Sequence, residues 1–303
     1  MINRLLSTVR QQRAYYFSKQ YIKVALRRLP SLSGFDIVRK PIVLIHQMGK
    51  VGSLSIYHSL QAAQSHQFDI YHTHFLNPRY ALASDTQRRD TGWQIYKQSQ
   101  NKNWLPIDYY DITRIHNQLL VKSQHPLNII TMVRDPISRN ISAYFQNLHW
   151  IWGIPDAHQQ KSLHELAQGF WAQANHDFPI DWLDQEIGNV VGLDVYAHPF
   201  PHDVGVQHLR TGVHNVLIMH MRASDQIKEH AVQQFLGIEH FRMTRSHVSQ
   251  NKPYGSVYKK FLSEVEMPEW YVYKMLNSRF ARHFFSEDER QKRIAYWLSH
   301  PRT

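Results

Sequence analysis

Three short apolar runs rich in β-branched residues set the tightest limit on the fold: Ile42–Ile45, Leu127–Val133 and Asn215–Met221. Each is too short for a buried helix. Each is continuously apolar instead of alternating, which is the pattern of a strand covered on both faces. Phe68–Phe75 alternates with period two and reads as a further strand. Between the strands lie stretches with helical spacing: Ser55–Gln64, residues 106–122, a helix opened by Pro136, and an amphipathic helix over Pro179–Val191. Residues 76–104 read as a polar excursion, 154–176 as a His/Gln-rich helical stretch, and the C-terminal third as mostly helical. Strands alternating with helices imply parallel pairing, so the expected architecture is α/β with a central, mostly parallel sheet.

Composition removes several chemistries. The chain of 303 residues has no cysteine, which excludes disulfides, thiolate metal sites, Cys nucleophiles and Fe–S ligation. A hydrophobic fraction of 43% with 13% aromatics supplies a core and rules out disorder. No apolar run approaches the roughly 18 residues of a membrane-spanning helix, and no secretory h-region opens the chain. A cytoplasmic location is therefore expected. The net charge of +11 is uneven. Residues 1–35 hold Arg4, Arg10, Arg13, Lys19, Lys23, Arg27 and Arg28, with no acidic residue before Asp36, whereas the remainder is close to balanced. The chain thus divides into a basic, aromatic-rich helical arm over 1–36 and one domain over 37–303. Such an arm suits an anionic membrane surface or nucleic acid, matches a transit peptide in composition, or packs on the body as a plain helix. Nucleic acid is not the expected partner of the domain.

Chemistry concentrates in two places. In the first, strand 42–45 runs into His46-Gln47-Met48-Gly49-Lys50-Val51-Gly52-Ser53 and then a helix. Two glycines let the backbone approach a ligand, and a helix start offers N–H groups and a positive dipole end, an arrangement suited to phosphate. Lys50 adds a point charge, and Ser53 and Ser55 add hydroxyls. Lys50 precedes the second glycine instead of following it, which argues against an ordinary triphosphatase loop. A plain strand–helix turn is the simpler alternative. In the second place, Arg134 stands at the carboxyl end of strand 127–133, followed by Asp135-Pro136 and a helix that puts Ser138 and Ser142 on one face. A guanidinium there suits phosphate. The alternative is an Arg–Asp surface pair on a serine-capped helix.

Taken together, strand–Lys50-Val51-Gly52-Ser53–helix and the later strand–Arg134-Asp135-Pro136 with Ser142 resemble the sulfotransferase superfamily, whose donor is 3′-phosphoadenosine 5′-phosphosulfate (PAPS). Phe178-Pro179-Ile180-Asp181-Trp182-Leu183-Asp184-Gln185-Glu186-Ile187, Gly192-Leu193-Asp194-Val195-Tyr196, Tyr254 with Tyr258-Lys259-Lys260-Phe261, and Phe284-Phe285-Ser286 resemble its branch of capsular polysaccharide synthesis proteins. The resemblance implies a P-loop-like three-layer fold and in-line transfer of a sulfuryl group to an acceptor hydroxyl, most plausibly on a carbohydrate. It also assigns roles. Lys50 contacts the bridging oxygen and the leaving phosphate. The amides of Val51, Gly52, Ser53, Leu54 and Ser55 hold the phosphosulfate, while Arg134 and Ser142 grip the 3′-phosphate.

The family's base often follows the second strand. Here that strand carries Tyr71-His72-Thr73-His74, with both histidines on one face, so His74 is the first candidate and His72 the second. With 21 histidines in the chain, such a pair also arises without function. A His-x-His zinc site lacks a third ligand at motif spacing, and no metal is expected. Sulfotransferases commonly close a basic C-terminal loop over the 3′-phosphate and adenine, which makes Lys252 and Tyr254 candidates; a helix-start turn is the alternative. Asp184 and Glu186 are expected on opposite sides of their helix, with Glu186 facing water instead of the acceptor pocket. The other function classes are a P-loop kinase or nucleotide hydrolase, and a non-catalytic anion- or membrane-binding protein on the same fold.

Overall fold

The structure, a computed structural model, describes residues 40–77, 79, 126–244 and 252–299. The basic arm, most of the expected excursion and the expected helix at 106–122 lie outside the described residues. No described helix is long and apolar enough to cross a membrane.

The chain begins with β1 (Ile42–His46), α1 (Ser53–Gln64) and β2 (Asp69–Thr73), followed by β3 (Leu127–Val133) and α2 (Pro136–Gln146). A helical stretch holds α3 (Leu148–Trp152), α4 (Ala157–Gln160), α5 (Leu163–Gln173) and α6 (Phe178–Leu183), then a π turn (Asp184–Gly188) and α7 (Asn189–Val191). After β4 (Val206–Thr211) and β5 (His214–His220) come α8 (Asp225–Leu236), α9 (Gly255–Glu264), α10 (Glu269–Leu276), α11 (Arg279–Phe284) and α12 (Glu287–Leu298). The five strands lie in the order β2-β1-β3-β5-β4 and all neighbours are parallel except the β4–β5 hairpin. The expected α/β architecture with a mostly parallel sheet is therefore present, as is the helical C-terminal third.

Four local expectations change. Strand β2 is shorter than 68–75 and half-exposed, as suits the rim of the described sheet. Strand β4 was not expected: only Leu209 in it is buried, so it carries no apolar run to detect. The 154–176 stretch breaks at Lys161-Ser162, where Ser162 and Glu165 form a capping box that starts α5. The helix expected at 179–191 is interrupted by the π turn.

Chain order places the site. From β1 the chain steps to β2 on one side, whereas β3 continues to β5 on the other. Such a reversal opens a crevice at the carboxyl ends of β1 and β3, where open α/β sheets take ligands. Strand β3 extends past its last partner on β1, the Ile45–Ile130 pair, and carries Arg134 alongside the turn after β1.

Two hydrophobic clusters meet at this point. One surrounds the sheet, with Val43, Leu44, Ile129 and Ile218 fully buried. The other is helical and joins Ile137, Ile141, Tyr144 and Phe145 of α2 to Phe170, Phe261, Tyr271 and Trp297. Helix α2 thus springs from the end of β3 into the second cluster, and Asp135 fixes its start. One Asp135 oxygen accepts from the Ser138 amide at 2.6 Å, and the other accepts from Arg293 of α12 at 2.7 Å. The helix is capped by Asp135 and not by a serine, so of the alternative reading of this segment only a capped helix remains, and Asp135 makes a buried tie to the C-terminal helix in place of a surface pair with Arg134. Asp135→Ala removes both the cap and the partner of a largely buried guanidinium. A loss of about 3 kcal/mol is expected by urea denaturation, with Asp135→Asn losing less because it keeps a cap acceptor.

Candidate functional site

The turn after β1 is held by its carbonyls. Arg139 of α2 donates from Nη2 to the Met48 carbonyl at 2.5 Å and from Nε to that of Gly49 at 3.4 Å. Arg134 donates from Nη1 to the Lys50 carbonyl at 2.7 Å. Gly49, Lys50 and Gly52 all take left-handed conformations, with φ of 76°, 64° and 84°. Lys50 is the only non-glycine residue with positive φ among the described residues, a conformation that costs about 1–3 kcal/mol. Arg139 is buried and lies 4.4 Å from the Phe178 ring centroid. Burial, and then Arg134, lower its pKa to about 9, so it remains charged at neutral pH.

Helix α1 starts directly from Gly52 with no side-chain cap and no acidic residue in its first turn. Its first amides therefore point from the helix mouth with the positive end of the dipole behind them. Val51 is buried as an anchor, and Leu54 is exposed. The Ser53 hydroxyl is turned to His72 Nε2, 3.4 Å away.

At the end of α2, three donors converge on one atom. Gln146 Oε1 accepts from Lys252 Nζ at 2.6 Å, from Tyr254 OH at 3.2 Å and from Lys50 Nζ at 3.3 Å. Burial lowers the Lys50 pKa to about 8, followed by the charges of Lys252, Arg134 and Arg139, all positive. Burial raises the pKa of the Tyr258 hydroxyl, and the charge of Arg134 opposes that shift. Ser142 is buried in α2. The structure thus brings Lys50, Arg134, Lys252 and Tyr254 together, although they are far apart in sequence. Tyr254 also takes the N-cap position of α9, so the helix-start reading of that segment holds alongside. Gln146 and Arg139 were not singled out in the sequence: neither a neutral amide nor one more arginine in a helix carries a motif.

The histidines lie on the other flank of the turn. Gln47 Nε2 is 3.1 Å from both His72 Nε2 and His74 Nδ1, while Gln47 Oε1 accepts from the Gly49 amide at 3.2 Å. His74 Nδ1 is also 3.1 Å from the Gln47 carbonyl oxygen. These two contacts of Nδ1 exclude each other, because a carbonyl requires Nδ1–H and an amide donor requires a bare Nδ1. Burial lowers the His72 pKa to about 3, with His74, His46 and His58 adding to it.

Glu186 corrects an expectation. It does not face water: it is 0% exposed, and its Oε2 accepts from the amides of Leu76 at 2.6 Å and Asn77 at 2.9 Å. Those bonds offset the loss of water that charge alone would forbid. The sequence held a signal, since Glu186 stands one helical turn beyond Trp182 and beside Ile187, both buried.

The buried histidines make stability pH-dependent. His72 and His220 have pKa values lowered to about 3 and about 4, the latter by burial first and then by Arg222. Below pH 6.5 the unfolded chain takes up protons that the native protein refuses, so stability falls as pH drops toward 4. Each such histidine contributes up to about 1.4 kcal/mol per pH unit. Urea midpoints measured between pH 7 and pH 4.5 should decline, and His72→Gln should make the decline shallower. An unchanged slope would mean that burial of a neutral His72 is not the cause.

Among proteins of known families, residues 158–286 match the NKWYS family model, described as "Putative capsular polysaccharide synthesis protein". That segment runs from α4 to the start of α12 and contains Glu186, Lys252 and Tyr254, but not Lys50, His74 or Arg134. No curated protein and no solved structure matches the chain.

Proposed function

We propose that the protein is a sulfotransferase that moves a sulfuryl group from PAPS to a hydroxyl of a carbohydrate acceptor. The observation that carries this reading is the meeting of Lys50, Lys252 and Tyr254 on the single neutral oxygen of Gln146, beside an uncapped helix start. An amide oxygen is a weak partner for two ammonium groups; an anionic oxygen forms shorter bonds, about twice as strong. The donor set therefore fits phosphate or sulfate. The choice of PAPS within that class rests on the resemblance of the Lys50 and Arg134 segments, and the carbohydrate acceptor on the description of the family matched by 158–286.

When bound, PAPS supplies an activated sulfuryl group on a 5′-phosphate leaving group. The chain's own residues then divide the work. Lys50, already positioned by its left-handed backbone, places its ammonium where the leaving oxygen gains charge, and electrostatic stabilisation of that kind is usually the largest catalytic contribution. The amides of Val51 to Ser55 supply a P-loop-like cradle. Arg134, Ser142, Lys252 and Tyr254 take the 3′-phosphate, for which Lys252 and Tyr254 part from Lys50 at the Gln146 oxygen they share. His74 takes the acceptor proton at Nε2 when its Nδ1–H donates to the Gln47 carbonyl. His72 remains neutral as its neighbour.

Calorimetry with adenosine 3′,5′-bisphosphate in EDTA, with ATP for comparison, tests the reading. Bisphosphate should bind well without divalent metal and ATP much more weakly; the reverse order would favour a kinase or hydrolase. Gln146→Glu places a fixed carboxylate at the focus of the donors and should weaken bisphosphate binding by about tenfold or more, or at least 1.4 kcal/mol. Arg134→Ala should weaken the bisphosphate far more than adenosine 5′-phosphate. Equal losses for the two ligands would mean that Arg134 acts only through the Lys50 carbonyl.

A further inference from the structure

Directly behind His74 the protein buries a carboxylate that the transfer reading does not use. Glu186 lies in the π turn, a feature frequent at functional sites, and its Oε1 is buried with no hydrogen-bond partner among the described residues. Its Oε2, which accepts from Leu76 and Asn77, also stands 3.4 Å from Nε2 of His46, itself fully buried at the end of β1. One turn earlier, Trp182 packs against the His46 ring at 4.7 Å and donates from Nε1 to the His74 carbonyl at 3.1 Å. Asn77 Nδ2 returns a bond to the Gln185 carbonyl at 3.4 Å. One helical segment thus grips the backbone of His74, Leu76 and Asn77.

The His46 ring adds a second constraint. Its Nδ1 lies 3.4 Å from the Thr73 carbonyl oxygen, which only accepts, so that nitrogen carries a proton. Its Nε2 faces Glu186 Oε2 across 3.4 Å and has no hydrogen-bond partner among the described residues. Burying a carboxyl group is a costly way to satisfy two amides. What Glu186 does supply is geometry.

We propose that Glu186, with His46 and Trp182, is a positioning residue: it locks the His74–Asn77 turn and thereby fixes how the His74 imidazole faces the transfer site. This rests on the reading of His74 as the base. The test is ¹⁵N-histidine NMR of the full chain, with His74 assigned by its loss in His74→Gln. The parent should show His74 as one tautomer, protonated at Nδ1. Glu186→Ala should shift His74 toward a mixture of tautomers. Glu186→Gln, whose amide oxygen can still accept from Leu76 and Asn77, should restore most of the parent signature. Trp182→Phe, which deletes the donor to the His74 carbonyl while keeping a smaller ring beside His46, should move His74 in the same direction as Glu186→Ala.

If Glu186→Ala and Trp182→Phe both leave His74 as in the parent, the carboxylate only supports the fold and the proposal is overturned. If Glu186→Ala does not fold, an unchanged His74 in Trp182→Phe overturns it alone. The parent spectrum by itself decides whether His74 can serve as the base, and bisphosphate binding by the parent decides the donor. The difference between variants and parent decides Glu186.

Discussion

The site depends on two arginines that hold carbonyl groups. Within a planar trans peptide unit the C=O and the following N–H point in opposite directions. By drawing the carbonyls of Met48, Gly49 and Lys50 toward α2 and the end of β3, Arg139 and Arg134 turn the next amides the other way. A loop that satisfied its carbonyls with water would have no such fixed polarity. Two glycines and one strained lysine make the turn possible, and the Phe178 face shelters the Arg139 guanidinium. The start of α6 thereby supports a turn more than a hundred residues earlier in the chain.

What could be read from the sequence follows from where the signal lies. Strands β1, β3 and β5 are legible because burial on both faces forces continuous apolar runs. The glycine turn and Arg134 are legible because chain geometry at a strand end restricts residue type. Gln146 and Arg139 are not, and Glu186 is so only in its burial, because their roles depend on partners distant in sequence. Gln146 matters only once Lys252 and Tyr254 come to it, and the amides that Glu186 accepts from lie more than a hundred residues before it. Edge strand β4 escaped for the opposite reason: a half-exposed strand need not look apolar.

The two flanks of the turn hold opposite protonation states at one pH. On one side, Lys50 keeps its proton at neutral pH despite three positive neighbours. On the other, burial keeps His72 neutral well below its ordinary range. A turn of a few residues thus separates a cationic surface from a neutral imidazole surface. Environments that push pairs of groups apart in this way are how a site divides binding from proton transfer.

The boundaries of the family match cut across the sheet. Residues 158–286 include β4 and β5 but omit β3, along which β5 pairs from Asn215 to His220. They also stop short of Arg293, the partner of Asp135. A fragment with these limits would present the β3-facing side of β5 as a bare row of donors and acceptors beside the apolar residues Val216–Met219, a template for another copy of itself. The matched segment is a unit of sequence similarity and not a unit of folding.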